Sequence, residues 1–365
     1  MLDVHVRFFK VNKCGYYSHG SRSPQLSSIE DALIKLADWA RDGREFVNTT
    51  TYGANPNRDL YNTYFNDWAK NELTGDHVLV LWNEVPNDNG VIYGKNPLEH
   101  PGSTNMLTTG FSDENVIPGL PSYFWFIPEH NAFATLKFQH SYNGKGNLDT
   151  YLNGFLRNKS PYRVFNPEGS DQVIGYSLNG TVTDDSDKIR PSFQAVGMKN
   201  TTLEHDLLRN IRRITKLIKK EELSYLNPDN RQLHERVFDY VFSGLTSDTP
   251  EFGRQTRLIT HELQYQPSET ELRQIVRNFN ESDDNSLKNV GFQYNDGTRV
   301  MLSGTSITND TRLSVRRSDD QSISAELLLE TIVRERANLL VPLNDILSSE
   351  ESRSSDTESE PTTDE

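Results

Sequence analysis

Six cations, Arg209, Arg212, Arg213, Lys216, Lys219 and Lys220, fall at successive spacings of three, one, three, three and one. No acid interrupts the stretch from Leu207 to Lys220, although the chain as a whole carries a net charge of −14. Leu207, Ile211, Ile214 and Ile218 recur at four, three and four, the spacing of one apolar helical face. The pattern predicts a basic helix over Leu203–Leu223, with the cations largely opposite the aliphatic seam. Cations gathered on one face raise a strong local positive potential. Each Lys or Arg in such a stripe can neutralise one phosphate and release its counterions. Lys188 and Arg190, and Arg312, Arg316 and Arg317, extend the patch if the fold brings them near. The competing readings are a solvated face and an internal partner, in Asp184-Asp185-Asp187 or in an acidic tail. A membrane-surface helix is a third, but this one lacks Trp or Phe on its apolar side.

Other chemistry is thinly represented. There is no Gly-rich phosphate loop, no dinucleotide fingerprint, no C-x-x-C, no H-E-x-x-H and no G-x-S-x-G elbow. His261-Glu262 lacks the second histidine of a zinc motif. Glu262 and Asp171 are the carboxylates that a divergent metal-dependent nuclease could recruit. No catalytic residue, metal ligand, cofactor or small-molecule substrate is assigned, and the balance leans away from an enzyme. His130 and His140 read as turn or surface residues, and the single cysteine, Cys14, as an ordinary half-buried thiol.

The elements that must position these residues read as an α+β fold with mixed sheets and packed helices. Val4, Val6 and Phe8 alternate as a half-buried strand does. Ser27-Ser28-Ile29-Glu30 fits a capping box with Ser27 as N-cap, followed by Ile29, Ala32, Leu33, Leu36 and Ala40 on one face. His77–Val85 is a short apolar strand, while Asp59–Lys70 fits helix or strand. Gly119–Ile127 and Ala132–Phe138 form a hairpin about Pro128–Asn131, and a helix follows over Leu148–Leu156. Ile189–Met198 is a strand, Gln232–Phe242 a helix and Arg257–Leu263 a strand. Ser268-Glu269-Thr270-Glu271 is a second capping box, ahead of Leu272, Ile275, Val276 and Phe279 on one face. Tyr294-Asn-Asp-Gly-Thr298 is a hairpin turn, because Asn, Asp and Gly accept positive φ. The last helix spans Ala325–Leu339.

At 365 residues, two domains are expected. The division reads as 1–160 (N-terminal α/β), a linker over 161–187, 188–347 (C-terminal α+β) and an acidic tail over 348–365. Seven acids against Arg353 give Glu350–Glu365 a charge of −6 without one aromatic residue, which predicts disorder. No apolar run approaches the ~20 residues that span a bilayer. With one cysteine and no leader-like start, the cytoplasm is the expected compartment.

Gly-Leu-Pro-Ser-Tyr-Phe at 119–124, Ala-Phe-Ala-Thr at 132–135 and Leu-Asp-Thr-Tyr-Leu at 148–152 resemble the matching stretch of the RexA-like phage exclusion and abortive infection family. The resemblance covers about thirty-five residues and implies a two-domain α+β protein that dimerises and binds duplex DNA with little sequence preference. It also implies a role in prokaryotic antiviral defence, beside a small membrane protein as partner. It carries over no DNA-contact residue; the basic segment is nominated on charge alone. Two rivals stand beside this reading, a nuclease toxin and a non-enzymatic interaction subunit.

Overall fold

A computed structural model describes residues 1–55, 60–85, 93–102, 107–108, 116–138, 141, 144–166, 169, 171–181, 188–199, 201–223, 257–281, 287–302, 307–315 and 322–348. In chain order the first half holds β1 (Leu2–Ser18), α1 (Ile29–Arg41), β2 (Thr63–Lys70), β3 (His77–Glu84), β4 (Tyr93–Lys95), β5 (Leu107–Thr108), β6 (Ile117–Ile127), β7 (Ala132–Lys137) and α2 (Lys145–Asn158). The second half holds β8 (Arg163–Phe165), β9 (Val173–Tyr176), β10 (Ile189–Gly197), α3 (Thr201–Arg209), β11 (Ile214–Leu223), β12 (Arg257–Gln264), α4 (Glu269–Glu281), β13 (Leu287–Tyr294), β14 (Arg299–Met301), β15 (Thr308–Leu313) and α5 (Ala325–Leu339). The fold is α+β. Asp59–Lys70, ambiguous in sequence, is strand β2 over Thr63–Lys70. The helix expected over Gln232–Phe242 lies outside the described residues.

A nine-stranded antiparallel sheet, ordered β10-β1-β7-β6-β3-β2 with β15 on β1 and β4–β5 on β6, carries the larger core. Both of its faces are covered. Leu79, Leu81, Phe124 and Phe126 point to α1 and α2, while Val78, Val80, Tyr123 and Trp125 point to α5. That is why β3 and the end of β6 read as continuous apolar runs rather than alternating ones. Helix α1 begins one residue later than its capping box suggests. Ser28, not Ser27, accepts from the Asp31 backbone N–H at 3.2 Å, and Ser27 takes a positive φ of 66°.

Residues 161–181 are not a bare linker. The β8–β9 hairpin docks on the large core through Tyr162 and Tyr176, whose rings lie 5.4 and 5.0 Å from Tyr16. Tyr162 donates to Asp31 at 2.7 Å. Nor does residue 188 open a separate domain. β10 pairs with β1 from Phe9 to Ser18, β15 pairs with β1 from Leu2 to Arg7, and α5 packs on the same sheet. The two strands lie end to end along one edge of β1 and meet at Phe8. Phe8 O accepts from Met198 N, Phe8 N donates to Ile307 O, and Ile307 N donates to Met198 O. Residues 199–306 therefore leave the sheet and return to it at one point, the geometry of an inserted unit. The insertion has its own core of Leu207, Ile214, Leu272, Val276, Val290, Phe292, Tyr294 and Leu302. The expected division at 161–187 is replaced by a discontinuous large unit and this insertion, because strand pairing joins residues about 300 apart in sequence.

Helix α2 is pressed against the Phe46–Thr49 turn and the strap that follows it. Tyr151 Oη donates to Thr49 O at 2.6 Å and Thr51 Oγ1 donates to Tyr151 O at 2.7 Å. A Cβ at Gly154 would sit 2.6 Å from Thr51 Oγ1 and 2.9 Å from Thr51 O. Gly154→Ala is therefore expected to destabilise by about 1–3 kcal/mol, overpacking outweighing the usual helix preference for Ala. A thermal melt checks it; an unchanged or raised Tm would rule out so close an approach.

Candidate nucleic-acid interface

The six cations do not lie on one helix. The segment predicted as a basic helix is α3, a 3-10 turn over Ile211–Arg213 and strand β11. Asn210 closes the helix, its backbone N–H and side-chain amide both bonding to Asp206 O. The β-branched residues Ile214, Thr215 and Ile218 then favour the strand. The pattern misled because a spacing of four is a helical repeat and also twice the strand period. A bulge at Thr215 completes the change. It leaves Ile214 and Leu217 packed on the helix side of the sheet and turns Ile218 to the opposite side.

The inserted sheet runs β12-β11-β13-β14 and is antiparallel throughout. Helices α3 and α4 cover one face, α4 capped as the sequence predicts by Ser268 and Glu271. The other face is set by register. One row holds Gln264, Lys216, Gln293 and Arg299, the next Glu262, Ile218, Gly291 and Met301, and the third Thr260, Lys220 and Asn289. No aromatic side chain stands in these rows among the described residues.

The cations divide accordingly. Arg209 ends α3, where a cation suits the helix dipole, and is exposed. Arg212 and Arg213 are exposed at the 3-10 turn. Arg213 donates to Asn210 Oδ1 at 3.0 Å and to Asp296 Oδ2 at 2.6 Å, and its guanidinium lies 5.2 Å from the Tyr294 ring centre. Lys216 and Lys220 belong to the face that neither helix covers, here the open face, on which Ile218 is nevertheless fully buried; Lys219 lies on the helix-side parity opposite Val290. Lys216 Nζ donates to Glu262 Oε2 at 3.0 Å, and Arg299 Nη2 donates to Glu262 Oε1 at 2.7 Å. The Lys216 hydrogen bond, more than any other cause, holds the Glu262 carboxyl below its ordinary pKa. The Asp296 carboxyl is also lowered, first by hydrogen bonds from Thr298 and then by Arg213.

Lys188 and Arg190 do not join this group. They stand at the start of β10, where Arg190 pairs with Tyr17, about 25 Å along the strand from the point where the insertion departs. Arg312 pairs with Asp3 at 2.7 Å on the large sheet. Arg316 and Arg317, like Asp184-Asp185-Asp187 and the acidic tail, lie outside the described residues. Arg299 is the cation that sequence reasoning passed over. The Asn-Asp-Gly turn places it on a strand, but nothing local shows that β13 carries it beside Lys216.

Glu262 and Asp171 do not meet as a nuclease pair, since Glu262 is on the inserted sheet and Asp171 precedes β9 of the docked hairpin. Among the described residues no group of three His, Cys, Asp or Glu side chains converges as metal ligands. His130 sits in the 3-10 turn between β6 and β7, 4.0 Å from Glu129, and His140 lies outside the described residues. Cys14 is buried rather than half-buried, and burial pushes its thiol up to about 12. At neutral pH it carries negligible thiolate, the form that reacts. No helix among the described residues is long and apolar enough to cross a membrane.

Comparison of the chain with protein-family models, curated proteins and solved structures finds no match.

Proposed function

We propose that the inserted unit binds the phosphate backbone of duplex DNA without reading its sequence. The observation that carries this is the placement of Arg209, Arg212 and Arg213 at one corner of a small sheet whose open face adds Lys216, Lys220 and Arg299. Their carboxylate partners are no obstacle. Asp296 and Glu262 are solvent-accessible, and exposed ion pairs are worth only about 0–1 kcal/mol. Exchanging such a carboxylate for a phosphate is cheap, and counterion release then favours the complex. Among the described residues the open face offers no aromatic platform for stacking unpaired bases, which favours duplex backbone over single strands.

A salt titration tests the reading. Duplexes of unrelated sequence should bind equally, with log affinity falling against log salt at a slope near −5 if six phosphates are engaged. Changing Arg209, Arg212, Arg213, Lys216, Lys219 and Lys220 together to Gln should cut affinity by roughly 100-fold or more and flatten that slope on every sequence. Unchanged affinity in a folded variant would sink the idea. With the resemblance at residues 119–152, this activity fits a cytoplasmic, dimeric phage-exclusion protein that works beside a small membrane protein. Plaque formation on hosts expressing the wild type and the six-Gln variant checks that setting; equal protection by both would separate defence from DNA binding.

A further inference from the structure

Glu262 occupies an unusual position for an exposed carboxylate. Its strand, β12, and the strand bearing Arg299, β14, lie at opposite edges of the inserted sheet with β11 and β13 between them. Three strand spacings separate the edges, about 14 Å. The pair closes at 2.7 Å because both side chains lean inward over the sheet. On this face Ile218 stands beside Glu262 in the register, and the Met301 side chain lies over Gly291, where a Cβ would be 2.5 Å from Met301 Sδ and 2.6 Å from Val300 O. Gln293 fixes the guanidinium from behind, its Oε1 accepting from Arg299 Nε at 3.1 Å. Lys216 Nζ holds the second carboxylate oxygen at 3.0 Å. The two oxygens of one carboxylate are thus shared between an arginine and a lysine from different strands.

We propose that this bridge is a phosphodiester seat, closed in the free chain by the protein's own carboxylate, so that Glu262 sets how tightly the open face takes a nucleic-acid backbone. The proposal rests on the duplex-binding reading and adds its regulation. A phosphodiester presents a pair of anionic oxygens, as a carboxylate does, and a guanidinium fork serves either. The cations are already spaced and oriented for two oxygens, so the phosphate replaces Glu262 without rebuilding the face. Glu262 is itself solvent-accessible and rehydrates as it swings out. Arg299 and Lys216 are then the seat, and Gln293 positions Arg299.

The test is duplex binding by Glu262→Gln, which keeps the shape and removes the charge. It should tighten binding by roughly 3–10-fold at about 100 mM salt with the salt slope little changed, since the same phosphates are engaged but no carboxylate has to be displaced. Glu330→Gln, an exposed carboxamide swap on α5, controls for the general loss of one negative charge and should leave affinity within about twofold. Adding Arg299→Gln to Glu262→Gln should remove most of the gain. The proposal is overturned if Glu262→Gln binds as the wild type does or more weakly, if Glu330→Gln matches its gain, or if the double variant keeps it. The six-Gln variant tells the two failures apart. Wild-type binding that is lost in that variant but not tightened by Glu262→Gln refutes the seat alone; no binding by wild type and Glu262→Gln alike refutes the duplex reading and the seat with it.

Discussion

Arg336→Met is expected to lower the unfolding free energy by about 3–5 kcal/mol. Arg336, on α5, donates to Asp76 through Nε at 2.8 Å and Nη2 at 3.2 Å, and to Glu129 at 3.0 Å. The Asp76 side chain has no exposed surface and is otherwise held by Trp125 Nε1 at 3.0 Å. Removing the guanidinium strands a buried carboxylate with one neutral donor, which costs far more than the pair's net worth. The pair also joins residues 260 apart, locking the C-terminal helix onto the end of β3. Methionine keeps most of the side-chain volume, so the loss reports charge rather than a cavity. Denaturant unfolding followed by tryptophan fluorescence measures it. Combining Arg336→Met with Asp76→Leu should recover a large part of the loss, because no buried charge is then left alone. A loss below about 1 kcal/mol in the single variant would show the carboxylate to be less enclosed than its geometry indicates.

The second expected result is a fall in stability of about 3 kcal/mol as pH drops from 6.5 to 4, removed by His77→Leu. His77 opens β3, is fully buried, and neither ring nitrogen has a hydrogen-bond partner. Its ring lies 5.6 Å from that of Trp68. Burial pushes its pKa from the ordinary 6.5 down to about 4, with Lys70 lowering it further and Glu30 and Glu72 opposing. The folded chain thus holds His77 neutral where the unfolded chain protonates it. The contribution is fully present above pH 6.5, declines as the unfolded state takes up its proton, and is lost once pH falls through 4. His77→Leu should flatten that window while leaving stability near pH 7 unchanged or raised, since two unsatisfied polar atoms disappear. The ring's NMR titration offers a direct check, and a midpoint close to 6.5 would refute the buried neutral form.

Much of the local structure was legible because it is determined by neighbours in sequence. The hairpin at 119–137, the helix it leads to, the Ser268 capping box, the Asn-Asp-Gly turn and the bounds of α5 all follow from caps, turns and periodicity within a few residues. The basic segment was legible in charge but not in shape. Its spacing of four satisfies helix and strand alike, and pairing with β12 and β13 decided between them. The cations themselves survive that correction, with Lys219 moved to the other side of the sheet and Lys188 and Arg190 moved to the large one.

By itself the sequence determined the α+β class, most element positions and the concentration of cations between Arg209 and Lys220. Only the tertiary structure decided that β10 and β15 share one edge of β1 and meet at Phe8, which makes residues 199–306 an insertion rather than half of a second domain. Only it placed Arg299 beside Lys216 and set Glu262 between them. The reason is the same in both cases. Strand register and partner choice depend on which apolar faces can be buried together across the whole chain, and no local spacing encodes that.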